Sequence, residues 1–251
     1  MATVALATVL HDPDARLVEP LTEAAPALCR LFSDVAVSLT DTTHTRIATL
    51  LADRYGATLG VHPTGEAAIG LARRRAVGLA LDTGADRILY SDLDHLLRWV
   101  KTDQAELLAV LEAQPEVALL IIGRSPRAFA NTPRRLRETE APINRVYSLL
   151  TGREADLLFA VRRMDRAVAA DLVSHAIEDS LANDVEWPLL AERMGHSVGV
   201  AEADGLAYRT LEDFASDADA LDDDPLQWIR RIEFAAHMAR VLRRFLSGRD
   251  N

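Results

Sequence analysis

Two aspartates, Asp92 and Asp94, follow an apolar stretch of the chain with one residue between them. Hard divalent cations prefer carboxylate oxygens, and Mg²⁺ usually takes one or two carboxylates together with substrate phosphates and water. If the chain stays extended here, residues two apart face the same side, so both carboxylates can meet one cation. The pair therefore predicts a Mg²⁺ or Mn²⁺ site that holds a diphosphate. The simpler alternative is that Asp92 only caps a helix opening at Leu96.

The basic residues narrow the chemistry further. Lys101 is the only lysine among 28 lysine and arginine residues. The chain therefore has no P-loop lysine, and a Schiff base could use only Lys101. Arginine instead suits the fork-like binding of phosphates. The formal net charge of −10 argues against a general nucleic-acid-binding surface, so we expect no nucleic-acid partner.

Cysteine content and hydropathy favour a cytoplasmic protein. The single cysteine, Cys29, excludes an intrachain disulfide and a multi-cysteine metal site, which suits a reducing compartment. No apolar run approaches the length of a membrane span, and the N-terminal "MATVALATVL" lacks the basic start of a signal peptide. We therefore expect no integral membrane segment.

Short apolar runs alternate with helical patterns through the first half of the chain. The runs that have the character of strands are Thr3–Leu10, Asp34–Leu39, 58–62, 87–91 and Val117–Gly123. Strands separated by helices of this length pair in parallel through right-handed crossovers. The pattern predicts an α/β fold with a mostly parallel central sheet flanked by helices. Ligands bind outside the carboxyl ends of such strands, and the run at 87–91 delivers the acid pair to that edge.

The second half of the chain is less regular. Residues 124–145 are polar, rich in arginine and longer than an ordinary connection, so we expect a functional or mobile segment. Further strands are predicted at 156–161 and 197–204, and a last helix with Asp224 as its N-cap and Pro225 at its first position. We predict one domain over 1–215, with a nucleotide-binding half at 1–123 and an acceptor half at 124–215. A helical extension would then cover 216–251.

The segment before the acid pair resembles that of nucleotide-sugar glycosyltransferases of the GT-A fold. In that family a helix of the form A-R-N-x-G leads through a glycine and an acid into an apolar strand and a D-x-D motif. The matching residues here, in the same order, are Arg75, Gly78, Gly84, Asp86, Asp92 and Asp94. Ala76 stands where asparagine is usual. The nearest group is the polyprenyl-phosphate mannosyltransferase (family 2) type, in which a histidine often follows the motif, as His95 does here.

Weaker motifs continue the resemblance over roughly residues 3–210. They are the G-S-R-like Gly123, Arg124 and Ser125, then Asn144, Gly152 and Asp156, and a terminal Arg209. The chain departs from the family at the first strand, where "LHDPD" replaces P-x-Y-N. It also keeps one acid, Asp41, where the family has D-D-x-S. The loop and the membrane helices of the lipid-phosphate enzymes are missing.

The resemblance implies transfer of a sugar from a UDP- or GDP-sugar to an acceptor that the sequence does not identify. A metal on Asp92 and Asp94 would neutralise the departing diphosphate. The residues implied to bind the nucleotide sugar are His11, Asp41, Arg75, Asp92 and Arg124. A surface or structural role is the simpler interpretation of His11, and Arg73 is expected on a solvated face of its helix.

The resemblance also places the catalytic base near the segment "NDVEW", in a reaction that inverts the sugar. Asp184 and Glu186 are the candidate bases, and Trp187 is a candidate platform for the acceptor. The alternatives are that Asp184 is a helix N-cap and that Trp187 belongs to the core. A retaining reaction, or an acceptor that is already an ionised phosphate, would need no such base.

The sequence is also compatible with a second, non-catalytic function. The missing P-x-Y-N motif and the single acid of "TDTT" motivate a catalytically degenerate protein of the same fold that binds a nucleotide sugar or a protein partner. The terminal helix carries Trp228, Ile229 and Ile232 beside arginines. Packing of this helix within the chain is the favoured interpretation, and a membrane surface or a homodimer is the alternative.

Overall fold

The computed structural model of the chain describes residues 2–207 and 220–247. Seven strands form one sheet: β1 Val4–Leu10, β2 Asp34–Thr40, β3 Thr58–His62, β4 Arg87–Tyr90, β5 Leu119–Arg124, β6 Val161–Asp165 and β7 Val198–Ala203. The strand order is β3-β2-β1-β4-β6-β5-β7. β6 is antiparallel to β4 and β5, and the other pairs are parallel. The predicted mostly parallel sheet is confirmed.

Helices pack on both faces of this sheet. They are α1 Val18–Leu31, α2 Thr45–Tyr55, α3 Ile69–Asp82, α4 Leu93–Thr102, α5 Gln104–Glu112, α6 Pro126–Ala130, α7 Arg134–Thr151, α8 Arg166–His175, α9 Asn183–Arg193 and α10 Pro225–Ser247. Successive side chains of a strand point to opposite faces. Ile88 and Tyr90 accordingly join the core under α3, α8 and α9, whereas Leu89 joins the core under α1, α4 and α5. The sheet is thus buried on both sides, as a parallel sheet requires.

The polar passage at 124–145, which was expected to be functional or mobile, is mostly helical. α6 and the first half of α7 account for most of it. Ser125 caps α6, because its hydroxyl accepts a hydrogen bond from the backbone N–H of Ala128 at 3.1 Å. Three of its arginines, Arg127, Arg134 and Arg135, lie on these helices and pair with Asp204, Glu138 and Asp222.

The strand predicted at 156–161 is wrong, because β6 begins only at Val161. Its sequence, VRRMD, places Arg162 and Arg163 inside the protein, where both are almost fully buried. Their terminal nitrogens donate to backbone carbonyls: Arg163 donates to the oxygens of Leu111 and Gln114, at 3.1 and 2.8 Å. A strand with buried arginines lacks the apolar pattern by which strands are predicted from a sequence.

The terminal helix α10 packs within its own chain, against α7 and α9, as expected. Asp224 caps it by accepting a hydrogen bond from the N–H of Leu226 at 2.9 Å. Its buried side chains, Met238, Val241, Leu242 and Phe245, belong to the core shared with α3, α8 and α9. Across the described part of the chain, every helix is too short or too polar to cross a bilayer. Arg209 lies outside the described residues, and the domain boundaries and the homodimer stay predictions.

Candidate active site

The acid pair lies at the carboxyl edge of the sheet, but not on extended chain. α4 begins at Leu93, so Asp92 occupies the N-cap position and Asp94 the first turn. The expectation that residues two apart project from extended chain is therefore wrong. Capping does not account for Asp92 either, because its side chain makes no capping hydrogen bond. Both carboxylates still border the same two cavities, since the turn from strand to helix keeps them at one edge.

Arg73, on α3, holds Asp92 in place. Its Nη2 donates to Asp92 Oδ2 at 2.8 Å, and its Nη1 donates to Asp184 Oδ1 at 2.7 Å and to the side-chain oxygen of Asn183 at 2.9 Å. The Arg73 side chain is only 3% exposed, so the expected solvated position is wrong. One guanidinium thus joins Asp92 to the first turn of α9. The hydroxyl of Tyr90 donates to the other oxygen of Asp92.

Burial and charge move the pKa values of these two carboxyls in opposite directions. Burial acts to raise the pKa of Asp92, but the charges of Arg73 and His95 and the hydrogen bond from Tyr90 outweigh it, and that pKa is lowered. At Asp184 burial prevails over the attraction of Arg73, and the pKa is raised. Asp92 is therefore held as an anion, whereas Asp184 takes up a proton more readily than an ordinary aspartate.

A cleft of about 750 Å³ extends from the acid pair across the carboxyl ends of β1, β2 and β3. His11, which follows β1, lines it and shares a hydrogen bond with the hydroxyl of Thr40 at 2.9 Å. His62, at the end of β3, is buried in the wall, and its Nδ1 lies 2.8 Å from the hydroxyl of Ser38. Burial, with the charge of Arg75, lowers the pKa of His62, so the ring is neutral near pH 7.

Asp41 lies at the rim of this cleft rather than in its wall. Its Oδ1 accepts hydrogen bonds from the hydroxyl and the backbone N–H of Thr64, at 2.6 and 3.2 Å. The bond from the hydroxyl of Thr64 is the main reason that the pKa of Asp41 is lowered. Asp41 thereby fixes Thr64, which does line the cleft. Asp12, from "LHDPD", is buried and accepts from the N–H groups of Arg16 and Leu17, a structural role.

Arg75, by contrast, does not reach the cleft. It is exposed on the outer side of α3 and lines a separate shallow depression with Gly78 and Val173. The buried stripe of α3 contains Ala72, Arg73, Ala76, Val77 and Ala80. Two residues along a helix amount to about 200° of rotation, so Arg73 and Arg75 point in opposite directions. The arginine at the site is Arg73, and the implied role of Arg75 is not supported by its position.

Arg124, at the end of β5, is buried in an ion-pair network. Its Nε and Nη2 form a two-pronged pair with Asp156 at 2.6 and 2.9 Å, and Nη2 also donates to Glu140 at 2.6 Å. Asp156 in turn accepts from the side-chain amide of Asn144 at 3.0 Å. A Cβ on Gly123 would come within 2.8 Å of the Cβ of Asp156, so only glycine permits this approach. Arg124 is therefore committed to carboxylates, and the charge it was expected to offer a diphosphate is already neutralised.

The three residues expected near the acceptor separate in the structure. Asp184 lies in the first turn of α9 and faces a cavity, and it is not the N-cap, which is Ala182. Glu186 is buried and accepts hydrogen bonds from the N–H groups of Ile177 and Glu178 at 3.1 and 3.0 Å.

Glu186 also pairs with Arg244 of α10 at 2.9 Å, so its carboxylate is occupied. Trp187 is 2% exposed and packs edge-on against the ring of Tyr90 at 5.7 Å. A buried tryptophan of this kind cannot serve as a platform for an acceptor. Asp184 alone of the three lies where a base could act.

A second cavity, of about 270 Å³, adjoins the cleft at the acid pair. His95 forms part of its wall and stacks on Phe159, with 3.9 Å between the ring centres. Arg98 lies 3.1 Å from His95 Nδ1. Arginine can only donate, so Nδ1 is the acceptor and the neutral ring carries its proton on Nε2. Glu140 and Arg231 also line this cavity, and neither was recognised from the sequence.

Asp92 and Asp94 are the side chains that could hold a metal. Asp94 is 56% exposed, and its Oδ1 accepts a hydrogen bond from the N–H of His95 at 2.9 Å. Asp92 offers the remaining lone pairs of its two oxygens. Within residues 2–207 and 220–247, no group of three or more His, Cys, Asp or Glu side chains is arranged to hold a metal. Two carboxylates fit a hard cation that takes its other ligands from a diphosphate and water.

The sheet order with its antiparallel β6 is that of the GT-A fold, and solved structures with the same fold bear this out. One is glucosyl-3-phosphoglycerate synthase from Mycobacterium tuberculosis in complex with Mn²⁺, UDP and phosphoglyceric acid. It superposes with a TM-score of 0.53 and 12% identity, over 92% of this chain and 78% of that one. The fold prediction is thereby confirmed.

Two further solved structures have a similar fold. The same synthase with Mg²⁺ and UDP gives a TM-score of 0.50 and 12% identity, over 80% of this chain and 69% of the other. A mycobacterial protein gives 0.51 and 16%, over 80% and 67%. No protein-family model matches the sequence, and neither does any curated protein. The finer resemblance to polyprenyl-phosphate mannosyltransferases stays a prediction.

Proposed function

We propose that the chain is a metal-dependent glycosyltransferase that moves a sugar from a nucleotide diphosphate to a small acceptor. The observation that carries this proposal is that Asp92, Asp94 and Arg73 line both the 750 Å³ cleft and the 270 Å³ cavity. The cleft is large enough for a nucleotide, and the cavity for a small acceptor. A metal at the acid pair would lie at their junction, where a sugar passes from one to the other.

The donor in this proposal is a UDP-sugar. UDP is the nucleotide in the structures of similar fold, and a GDP-sugar is the alternative. His11, Thr40 and His62 are the side chains of the cleft that would face the nucleoside. Asp41 would act through Thr64, which it holds at the rim. The metal, Mg²⁺ or Mn²⁺, would be held by Asp94 and Asp92 against the two phosphates.

The metal, when bound, would neutralise the charge that develops on the departing diphosphate. Arg73 would keep Asp92 ionised and oriented while that charge develops. Asp184 would accept the proton of the acceptor, because it faces the acceptor cavity and its raised pKa makes it a better base than an ordinary aspartate. Glu186 and Arg124 would support the fold of the site, since both are fully engaged with other residues.

Release of UDP from UDP-glucose, with and without Mn²⁺, tests this function. We expect metal-dependent release in the wild type and its loss in Asp94→Asn, which keeps the side chain's shape but removes its charge. Asp184→Asn should slow transfer by roughly 10²- to 10⁴-fold, the usual contribution of a general base. The matched control is Asp53→Asn, an exposed aspartate on α2 that should keep full activity. Equal turnover in Asp94→Asn and the control would refute the proposal.

A catalytically degenerate protein is the second candidate, and one observation favours it. Both oxygens of Asp92 already accept hydrogen bonds, from Arg73 and from Tyr90. If these bonds leave the metal too weakly held for turnover, the chain would bind a nucleotide sugar without cleaving it. Binding of a nucleotide sugar, with no release of UDP from any UDP-sugar or of GDP from any GDP-sugar, would favour this candidate over the first.

A further inference from the structure

The acceptor cavity contains arginines, but their charges are already neutralised. Arg73 is held by Asp92 and Asp184 at 2.8 and 2.7 Å. Arg231, from α10, pairs with Glu140 at 2.5 Å. Each of these two guanidiniums is therefore paired with a carboxylate that also lines the cavity.

Arg124 is the third arginine of this wall, and it is the most heavily committed. It meets Asp156 through two nitrogens and Glu140 through one, at 2.6 to 2.9 Å. Its guanidinium also lies over the rings of Phe129 and Phe159, at 4.7 and 4.8 Å from their centres. A ligand phosphate could reach this cation only by displacing a buried carboxylate, which would then lose its partner at a high cost.

The charges of the wall therefore do not favour an anion. Three guanidiniums are matched by the carboxylates of Asp92, Asp156, Asp184 and Glu140. Asp94 adds a further carboxylate to the lining. A carboxylate or phosphate acceptor would enter a wall with more acids than bases.

The rest of the wall suits a small molecule that has both apolar and hydroxyl surfaces. Leu136, Leu158, Phe159 and Met238 supply apolar contacts. The volume of about 270 Å³ lies below the roughly 300–1,000 Å³ of typical ligand pockets. Asp184 and His95 add polar side chains to the same wall. A sugar or a polyol has such a surface, because its C–H groups are apolar and its hydroxyls form hydrogen bonds.

We infer that the acceptor is a small, neutral polyhydroxy compound, a sugar or a polyol, that reacts as the nucleophile through a hydroxyl group beside Asp184. This inference rests on the proposed function. The acceptor's O–H bond breaks, and its proton passes to the Asp184 carboxylate. The acceptor oxygen forms the new bond to the anomeric carbon of the donor sugar. The bond from that carbon to the diphosphate breaks, and its electron pair leaves with the nucleoside diphosphate.

The inference separates this chain from the synthase of similar fold, whose structure contains phosphoglyceric acid, an anion. An acceptor that reacts through a hydroxyl needs a base, whereas one that reacts through an ionised phosphate would need none. The position of Asp184 in the cavity wall fits an acceptor that reacts through a hydroxyl.

Matched pairs of acceptors test the inference with the wild-type protein. UDP release from UDP-glucose and Mn²⁺ is measured with glycerol against glycerol 3-phosphate, and with glucose against glucose 6-phosphate. We expect at least one neutral member to accelerate release tenfold or more over hydrolysis, and its phosphorylated partner to do so less than twofold. Faster release with the phosphorylated partner would overturn the inference. Acceleration by no neutral compound, while metal-dependent hydrolysis continues, would overturn it too and leave the proposed function standing. Absence of any metal-dependent release would refute the proposed function itself.

The variant Glu140→Gln provides a second test. It keeps the shape of the side chain but removes the charge that faces Arg124 and Arg231. We expect glycerol 3-phosphate to become an inhibitor at least tenfold stronger than in the wild type. Equal inhibition in a folded variant would show that charge does not exclude anions from the cavity. The wild-type acceptor pairs decide the question if this variant fails to fold.

Discussion

The substitution Arg73→Met removes a buried cation and leaves two carboxylates without their partner. Asp184 is 6% exposed and Asp92 is 24% exposed. Removing one partner of a buried ion pair typically costs about 3–5 kcal/mol, because an uncompensated charge stays in the interior. Asp184 should supply most of that cost, and the better solvated Asp92 much less. We therefore expect Arg73→Met to lower the free energy of unfolding by about 4 kcal/mol at pH 7, a large part of the 5–15 kcal/mol typical of domains.

Urea unfolding at pH 7 and pH 5 measures this effect. With a urea dependence of about 3 kcal/mol per molar, the midpoint should fall by more than ~1 M at pH 7. Without Arg73, the pKa of the buried Asp184 lies above that of an unfolded aspartate, near 3.9. The folded variant then binds more protons than the unfolded chain above about pH 4, so its stability falls as the pH rises through the folded pKa. The loss caused by the substitution should accordingly be smaller at pH 5.

The matched control is Arg75→Met, two residues along the same helix. Arg75 is exposed and outside the cleft, so this change should stay within about 0.5 kcal/mol, as for most surface substitutions. A loss below about 1 kcal/mol in Arg73→Met would refute the bridging role of Arg73. A large loss that is identical at pH 5 and pH 7 would show that unpaired carboxylates are not its cause.

Three other variants or conditions test separate parts of the structure. Gly123→Ala should destabilise by about 1–3 kcal/mol in urea unfolding, because its Cβ would push Asp156 away from Arg124. An unchanged midpoint would show that Asp156 can move freely. Trp187→Phe should lower stability by about 1–2 kcal/mol and leave the KM for the acceptor unchanged, since the indole is core; a raised KM would restore Trp187 to the acceptor site. The rate of transfer should fall as the pH drops through the pKa of Asp184, which burial raises despite Arg73 and Arg162 and to which Asp92 adds a like charge. A rate that is flat from pH 7 to pH 4 would mean that Asp184 is not the base.

Much of the fold follows from the sequence because strands and helices alternate with clear periods. The first five strands are found within a few residues, and the acid pair falls at the edge where parallel strands bring ligands. The second half is harder, because Arg162 and Arg163 occupy strand positions that are normally apolar. Their guanidiniums donate hydrogen bonds to backbone carbonyls that come together only in the folded chain.

The site was predictable in outline and not in detail. Residue type alone does not show which of the three consecutive arginines, Arg73 to Arg75, faces inward. The signal was present in the spacing, because Arg73 precedes Ala76 and Val77 by three and four residues and shares their buried stripe. Glu140 and Arg231 lie 91 residues apart in the chain, so no local pattern connects them. Their pairing depends on how α7 and α10 meet.

The role of the acid pair is tested most directly by calorimetric titration of UDP into the protein, with and without Mn²⁺, in the wild type and in Asp94→Asn. A nucleotide clamped by a metal on Asp94 should bind at least tenfold more tightly with Mn²⁺ than without it. The variant should lose that gain while it keeps the wild-type melting temperature in the absence of ligand. Binding of UDP that is indifferent to Mn²⁺, or a gain that survives in Asp94→Asn, would contradict a metal site at the junction of the two cavities.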